Sequence, residues 1–182
     1  MLAPATARVD PLRATLLLTL AAGVALAEGI HAATRLSVSL KWPNDLLVSR
    51  RKLAGVLAEG TEGLVVVGYG INVAVAAFPP ELCDRATSLE SELGRPVDRY
   101  HVLVETLAAL SRRYEDLLDG RFDAILDAWR RHAPAASGAS VTWTTMEGTQ
   151  SGVTAGIDDQ GALLVQVGDR VERIVSGEVI WL

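Results

Sequence analysis

The 182-residue chain is poor in the residues that build disulfides and metal sites. Cys83 is its only cysteine, which excludes an intramolecular disulfide and any metal site made of cysteines alone. The three histidines, His31, His101 and His132, are scattered without ligand spacing, so no metal site is predicted. The net charge of −5 gives no electrostatic support for binding nucleic acid or an anionic membrane.

Apolar residues, in contrast, are abundant. They make up 49% of the chain, which is enough for a packed core and argues against disorder. The longest apolar stretch, residues 14–27, follows two arginines and imitates a signal peptide. It is too short to span a bilayer comfortably, and Asp10 followed by Pro11 is a typical helix start. We therefore favour a buried helix over residues 11–31.

One short segment concentrates chemically capable side chains. Lys-Trp-Pro-Asn-Asp occupies residues 41–45 and is followed by Lys52, Gly55 and Glu59. Pro43 fixes its own φ and forces the preceding residue into an extended conformation. A strand is therefore predicted to end at this motif.

The segments after the motif are predicted to form a strand, a turn and a returning strand: residues 46–48, 49–51 and 52–59. Such a hairpin brings Asn44, Asp45 and Lys52 within one side-chain length of one another. A slip of one residue would turn every side chain of a strand to the other face. The sequence leaves open whether Lys52 shares a face with Asn44 or with Asp45.

The remaining pattern predicts two regions of different composition. The predicted elements of the first are strands at 36–40 and 63–69, a loop at 87–96, and helices from Asp98 to about 118 and over 122–131. The strand at 63–69 is apolar on both faces, which is typical of a central strand. After a predicted linker at 132–138 come five short β-rich runs: residues 140–144, 150–157, 162–166, 171–174 and 177–181. These runs predict a small barrel.

Three separated motifs together resemble the biotin protein ligase family. They are the hairpin residues 41–45 and 52–59, Gly-Tyr-Gly-Ile-Asn at 68–72, and a tail comprising 152–158, 161–165 and 176–179. The resemblance implies an α+β fold: a class II aminoacyl-tRNA-synthetase-like mixed sheet with helices, truncated at its N-terminus, over residues 1–134. It also implies an SH3-like barrel over residues 138–182.

The resemblance also implies an activity. Ligases of this family join biotin and MgATP into biotinyl-5′-AMP and pyrophosphate, and then transfer biotin to a lysine of biotin carboxyl carrier protein, a subunit of acetyl-CoA carboxylase or a related carboxylase. The implied substrates are biotin and ATP with Mg²⁺, and the implied location is cytoplasmic. Neither a nucleic acid nor a membrane is predicted as a partner.

Catalytic roles follow from the resemblance for Lys52 and Asp45. Lys52 is expected to meet the biotin carboxylate and the ATP α-phosphate, because an ammonium in a dry site stabilises the charge that develops there. Asp45 is expected to orient, or act as general base for, the acceptor amine. Without the resemblance, Lys52 would be predicted as a solvated turn residue, and Asp45 as part of an Asx turn.

The implied nucleotide-binding residues are Lys52 together with Trp42, Asn44, Gly55, Gly70 and Asn72. The two glycines suit close approach of the backbone to a ligand. Trp42 is interpreted either as a structural residue or as a lid over the adenine, and an asparagine after a strand is also an ordinary turn residue.

A Gly-Arg-rich loop that closes over biotin in the family precedes the helix that begins here near Pro11. In this chain Gly-Arg pairs occur only at residues 94–95 and 120–121. We therefore expect the polypeptide alone to have little or no ligase activity. The alternative hypothesis is a non-catalytic remnant that binds nucleotide or a carrier domain.

Overall fold

The computed structural model describes residues 2–61, 64–74, 79, 82, 84–146 and 148–182, so Cys83 lies outside the described residues. Within them, the helices are α1 (Pro11–Thr34), α2 (Leu89–Leu93), α3 (Arg99–Leu118) and α4 (Phe122–His132). The strands are β1 (Ser39–Lys41), β2 (Asp45–Val48), β3 (Arg51–Thr61), β4 (Leu64–Ile71), β5 (Ser137–Thr145), β6 (Gly148–Ile157), β7 (Leu163–Val167), β8 (Arg170–Ile174) and β9 (Val179–Trp181).

Helix α1 forms the centre of the core. Asp10 caps it by accepting a hydrogen bond from the backbone N–H of Arg13, and Pro11 is its first residue, as predicted. By length and composition α1 could cross a membrane, but 67% of its most apolar window is buried within the protein. Its apolar surface packs against α3, α4 and the sheet of β1–β4.

The close crossing of α1 and α3 depends on Gly29. A Cβ at this position would lie 2.5 Å from Cα and 2.7 Å from the backbone N of Thr106. Because these are backbone atoms, one helix must move to accept a methyl group. We expect Gly29→Ala to lower the free energy of unfolding by about 1–3 kcal/mol, measured by denaturant unfolding, although alanine is the better helix former.

The matched control is Gly23→Ala in the same helix. There the Cβ would meet only the side chain of Leu40, at 3.4 Å. We expect this variant to keep or slightly raise the stability of the wild type, by up to about 1 kcal/mol. Equal losses at both positions would contradict the assignment of Gly29 to the helix crossing.

The first sheet is antiparallel with the order β1-β2-β3-β4. The prediction of a central strand at 63–69 is wrong among the described strands, because β4 ends this order and pairs further only with Leu2 through an isolated bridge. Val65 is buried whereas Leu64 and Val66 are exposed. An apolar run therefore did not mean that both faces of the strand were covered.

Two other predicted segments have more structure than their sequences indicated. The predicted loop at 87–96 contains α2, whose N-cap Ser88 accepts a hydrogen bond from the backbone N–H of Ser91. The predicted linker is packed rather than free, since Ala133 and Ala136 are buried. A short cap and a run of small residues are weak local signals, and tertiary packing decides both.

The second sheet has the order β8-β7-β6-β5-β9, so the last strand returns beside the first. All five neighbouring strands pair antiparallel. Val141, Leu163 and Val165 are fully buried between them. The predicted α+β fold, a sheet with helices followed by a small C-terminal β-unit, is confirmed, and the neighbouring strands β1–β4 all pair antiparallel.

Candidate functional site

A row of four paired residues crosses the first sheet. Lys41 pairs with Asp45, Asp45 with Gly55, and Gly55 with Gly70. Residues directly opposite each other in neighbouring strands have their side chains on the same face. Lys41 and Asp45 therefore lie beside a strip of sheet that carries no side chains.

A β-bulge sets the position of Lys52. Asp45 pairs with Gly55 in regular register, but the pairing then skips Leu53 before it resumes at Lys52. Leu53 is consequently turned into the core, where it is fully buried, and Lys52 is turned to the face of Asp45. The Lys52 Nζ lies 2.5 Å from the Asp45 Oδ1. The structure thus answers the question that the sequence left open.

Gly55 makes room for this ion pair. A Cβ at Gly55 would lie 3.3 Å from Cε and 3.4 Å from Nζ of Lys52, and 3.5 Å from Oδ1 of Asp45. At Gly70 a Cβ would meet no atom within 4 Å. The Lys52 side chain therefore lies across the backbone of Gly55, and the backbone of Gly70 forms an open floor next to it.

The ion pair is only partly shielded. The Asp45 side chain is 21% exposed and the Lys52 side chain 51% exposed. Asp45 Oδ1 itself is buried, and its close contact is with the Lys52 ammonium. Lys52 is thus held by a charge on one side and has ammonium hydrogens free for a further anion on the other.

The ion pair opens into a cleft of about 970 Å³ between the β1–β3 hairpin and β9. This volume falls at the upper end of the range for small-molecule sites. The charged residues that line it are Lys41, Asp45, Arg50, Lys52, Asp84, Arg85 and Glu178. With four cations and three carboxylates, the lining has a small excess of positive charge and offers cationic side chains to an anionic group.

Two predicted nucleotide contacts lie elsewhere. The side-chain amide of Asn44 donates to the Val56 carbonyl at 2.7 Å, and so pins the turn to β3. Trp42 is 3% exposed, and its indole N–H donates to the carbonyl of Gly161 at 3.0 Å. Neither residue lines the cleft. The geometry therefore gives no support to the prediction that they contact nucleotide, and it favours the structural interpretation of Trp42.

Asn72, in contrast, does line the cleft. Its side-chain amide donates to the Thr87 carbonyl at 3.0 Å, which leaves its Oδ1 as an acceptor. The backbone of Lys52 exchanges hydrogen bonds with the same segment, donating to the Arg85 carbonyl and accepting from the Thr87 N–H. Asp84, Arg85 and Ala86, which directly precede the loop predicted at 87–96, thus form a wall of the cleft.

The small β-unit contributes a second wall that the sequence did not indicate. Glu178 and Trp181 of this unit both line the cleft. The Lys41 Nζ lies 5.1 Å from the centre of the Trp181 ring. No local signal reveals this contact, because the two residues are far apart in the chain.

The Trp42 hydrogen bond connects the turn before β2 to the β6–β7 connection. We expect Trp42→Phe to lower the free energy of unfolding by about 1–2 kcal/mol, because the buried Gly161 carbonyl loses its donor while most apolar volume is kept. Trp181→Phe is the control, since its indole N–H donates to the Ala135 carbonyl at the exposed surface. Chemical denaturation should show the smaller loss there, and equal losses would contradict the buried link.

Family models match both parts of the chain. The model of the biotin/lipoate A/B protein ligase family matches residues 3–75, and that of the biotin protein ligase C terminal domain matches residues 136–181. The fold is similar to a solved structure of biotin protein ligase from Aquifex aeolicus in complex with biotin and ATP, with a TM-score of 0.85 and 29% sequence identity. The superposition covers 100% of this chain and 75% of the Aquifex chain.

Curated relatives agree with these matches. The bifunctional ligase/repressor BirA of Bacillus subtilis is 36% identical over 176 residues, which are 93% of this chain and 54% of that protein. The biotin–[acetyl-CoA-carboxylase] ligase of Paracoccus denitrificans is 33% identical over 164 residues, which are 85% of this chain and 68% of that protein. The chain thus spans about half to two thirds of the length of these relatives. Its sequence, fold and hairpin motif together show that the chain belongs to the biotin protein ligase family.

Proposed function

We propose that this chain carries the adenylate-handling part of an ATP-dependent biotin–protein ligase. The observation that carries the proposal is the Lys52–Asp45 ion pair beside the open backbone of Gly55 and Gly70. A fixed ammonium, a carboxylate and a floor without side chains are the parts needed to hold an acyl-adenylate and to attack it. The relatives named as biotin ligases support this assignment.

In the first proposed step a biotin carboxylate oxygen attacks the α-phosphorus of ATP. The bond from the α-phosphorus to the bridging oxygen breaks, and pyrophosphate leaves with the electron pair. Lys52 reduces the repulsion between the two anions and stabilises the charge that develops on the α-phosphate. Its ion pair with Asp45 holds the ammonium in place before the substrates arrive.

In the second proposed step the amine of a carrier-protein lysine attacks the biotinyl carbonyl carbon. An amide bond forms, the bond to AMP breaks, and the amine loses a proton. Asp45 is the carboxylate nearest to Lys52 and is proposed to orient the amine and accept that proton. The carrier itself is proposed to be a carboxylase subunit, because relatives of this chain are named biotin–[acetyl-CoA-carboxylase] ligases.

The floor of the sheet suits the fused rings of biotin. Leu57 pairs with Gly68 in the row next to Gly55 and Gly70, on the same face, and is 59% exposed. Backbone without side chains, bordered by an apolar side chain, offers the biotin rings a flat apolar surface. Polar or bulky side chains on these strands would block it. We propose that the biotin rings lie on this strip, with the carboxylate toward Lys52.

Magnesium enters this proposal as the counter-ion of ATP. In the part of the chain that the structure describes, no group of three or more His, Cys, Asp or Glu side chains is placed to hold a metal. A cytoplasmic location and the lack of a nucleic-acid partner stay predictions. The Bacillus relatives are named as repressors as well as ligases.

The proposal is tested in three arms, and the first two use the adenylate. The chain is titrated by calorimetry with a hydrolysis-resistant analogue of biotinyl-5′-AMP, and carrier domain is incubated with the chain and supplied biotinyl-5′-AMP, followed by a streptavidin blot. We expect saturable binding and labelling above that with the Lys52→Ala variant. Absence of both overturns the proposal, and binding without labelling favours the alternative of a non-catalytic binding module.

A third arm replaces biotinyl-5′-AMP with biotin and MgATP. The expectation of little labelling by the polypeptide alone applies to this complete reaction. Strong labelling in this arm would contradict that expectation and would support the full two-step activity.

A further inference from the structure

We propose that Lys41 is a second anion-binding residue of the cleft and that it holds the β- and γ-phosphates of ATP, and then the departing pyrophosphate. This inference rests on the proposed function, since it divides the triphosphate between two lysines. Lys52 would serve the α-phosphate beside Asp45, and Lys41 would serve the leaving group on the side of β9.

The use of lysine in this chain points to both positions. Of the 17 basic residues other than histidine, 15 are arginine, and Lys41 and Lys52 are the only lysines. Both line the same cleft. Lysine is a compact point charge that binds phosphate without the fixed planar geometry of arginine. The chain thus carries lysine only where the proposed substrate is most highly charged.

The surroundings of Lys41 leave its ammonium partly desolvated and without a direct ion-pair partner among the described residues. It is half-buried and packs against the ring of Trp181, and it forms no ion pair with a carboxylate of the described residues. Burial lowers the pKa of its ammonium, the nearby charges of Asp45 and Glu178 oppose this, and those of Lys52 and Arg85 add to it. A partly desolvated cation that has no direct ion-pair partner is stabilised when an anion binds.

The position of Lys41 suits the leaving group rather than the adenylate. It belongs to the row Lys41–Asp45–Gly55–Gly70, so Asp45 separates it from the open floor at Gly70. On its other side lie Glu178 and Trp181 of the small β-unit. A triphosphate that extends from Lys52 toward β9 passes Lys41. When the bond to the α-phosphorus breaks, the ammonium neutralises the charge that pyrophosphate gains.

Binding of inorganic pyrophosphate tests the assignment directly. We expect Lys41→Met to weaken pyrophosphate binding about 10-fold, because a charge-assisted contact is lost, and to leave the affinity for the biotinyl-5′-AMP analogue unchanged. Lys41→Arg should keep pyrophosphate binding. Arg95→Met is the control: it removes the same charge from an exposed residue outside the cleft, and should bind pyrophosphate like the wild type.

Proton uptake gives a readout that a merely structural role would not change. An anion raises the lowered pKa of Lys41, so pyrophosphate binding should take up protons in the alkaline range below the ordinary lysine pKa of 10.5. Calorimetry in two buffers of different ionisation enthalpy measures this uptake. We expect it in the wild type and its loss in both Lys41→Met and Lys41→Arg, since a guanidinium stays charged.

The possible outcomes separate this inference from the proposed function. If the wild type binds the adenylate analogue but Lys41→Met binds pyrophosphate as well as the wild type does, the role of Lys41 is wrong and the proposed function stands. If Lys41→Met loses the analogue and pyrophosphate equally, Lys41 is not specific for the leaving group. If the wild type binds neither ligand, both proposals fail.

Discussion

Replacing Lys52 with alanine is expected to weaken binding of the biotinyl-5′-AMP analogue by roughly 10- to 100-fold and to abolish labelling of the carrier domain. The loss follows from the geometry of the cleft. The Lys52 ammonium is fixed 2.5 Å from Asp45 and still has hydrogens free toward the cleft. Its removal leaves Asp45 without its cation, so the carboxylate would repel the phosphate that Lys52 is proposed to attract.

The fold should survive this change. The Lys52 side chain is 51% exposed, and a partly solvated ion pair contributes little to the free energy of unfolding. Lys52→Arg tests whether charge alone is sufficient. Arginine keeps the positive charge, but its planar guanidinium is larger than an ammonium and must fit above Gly55. We expect partial binding by this variant. Labelling by Lys52→Ala at the rate of the wild type would refute the role given to Lys52.

The hairpin shows how far the sequence could predict the site. Residue types and spacing identified Lys52 and Asp45 as chemically capable, and the structure brings the two side chains into contact. The register was not predictable, because it depends on the bulge at Leu53. In the sequence Leu53 is an ordinary strand residue, and nothing marks it as the site of a bulge. Only the buried face of the sheet decides that it points inward and Lys52 outward.

Residues near the motif were harder to interpret because their partners are distant in the chain. Trp42 is bonded to Gly161, which lies 119 residues further along. Trp181 reaches Lys41 through the fold of the small β-unit. A tryptophan after a strand and another near the end of a β-rich tail look alike in sequence. The structure assigns the first to packing and the second to the wall of the cleft.

The elements themselves were predicted more reliably than their surroundings. Helix α1 begins at Pro11 as its cap indicated, and α3 begins after the N-cap Asp98. These starts depend on local hydrogen bonds that the sequence encodes directly. Coverage of β4 and packing of residues 133–136 depend on what other elements lie against them. The spacing of apolar residues along the chain does not show which other elements pack against a segment.

The second large effect is expected for Asp45→Asn. This variant should slow transfer of biotin from supplied biotinyl-5′-AMP to the carrier lysine by about 10²- to 10⁴-fold, while it keeps the affinity for the adenylate analogue. The amide preserves the shape of the side chain, but it cannot accept the proton of the attacking amine. Removing a negative charge next to an adenylate also removes repulsion, so binding should not weaken.

The measurement is a time course of carrier labelling with biotinyl-5′-AMP in excess over the chain, so that the rate of transfer is separated from binding. Asp84→Asn is the matched control, because Asp84 is a second carboxylate that lines the same cleft but does not pair with Lys52. We expect its transfer rate to stay close to that of the wild type. Equal slowing by both variants would mean that transfer responds only to the net charge of the cleft, and an unchanged rate in Asp45→Asn would exclude Asp45 as the proton acceptor. Slow transfer with intact binding in Asp45→Asn alone would assign the second step to this carboxylate and would separate its role from that of Lys52, whose loss removes binding first.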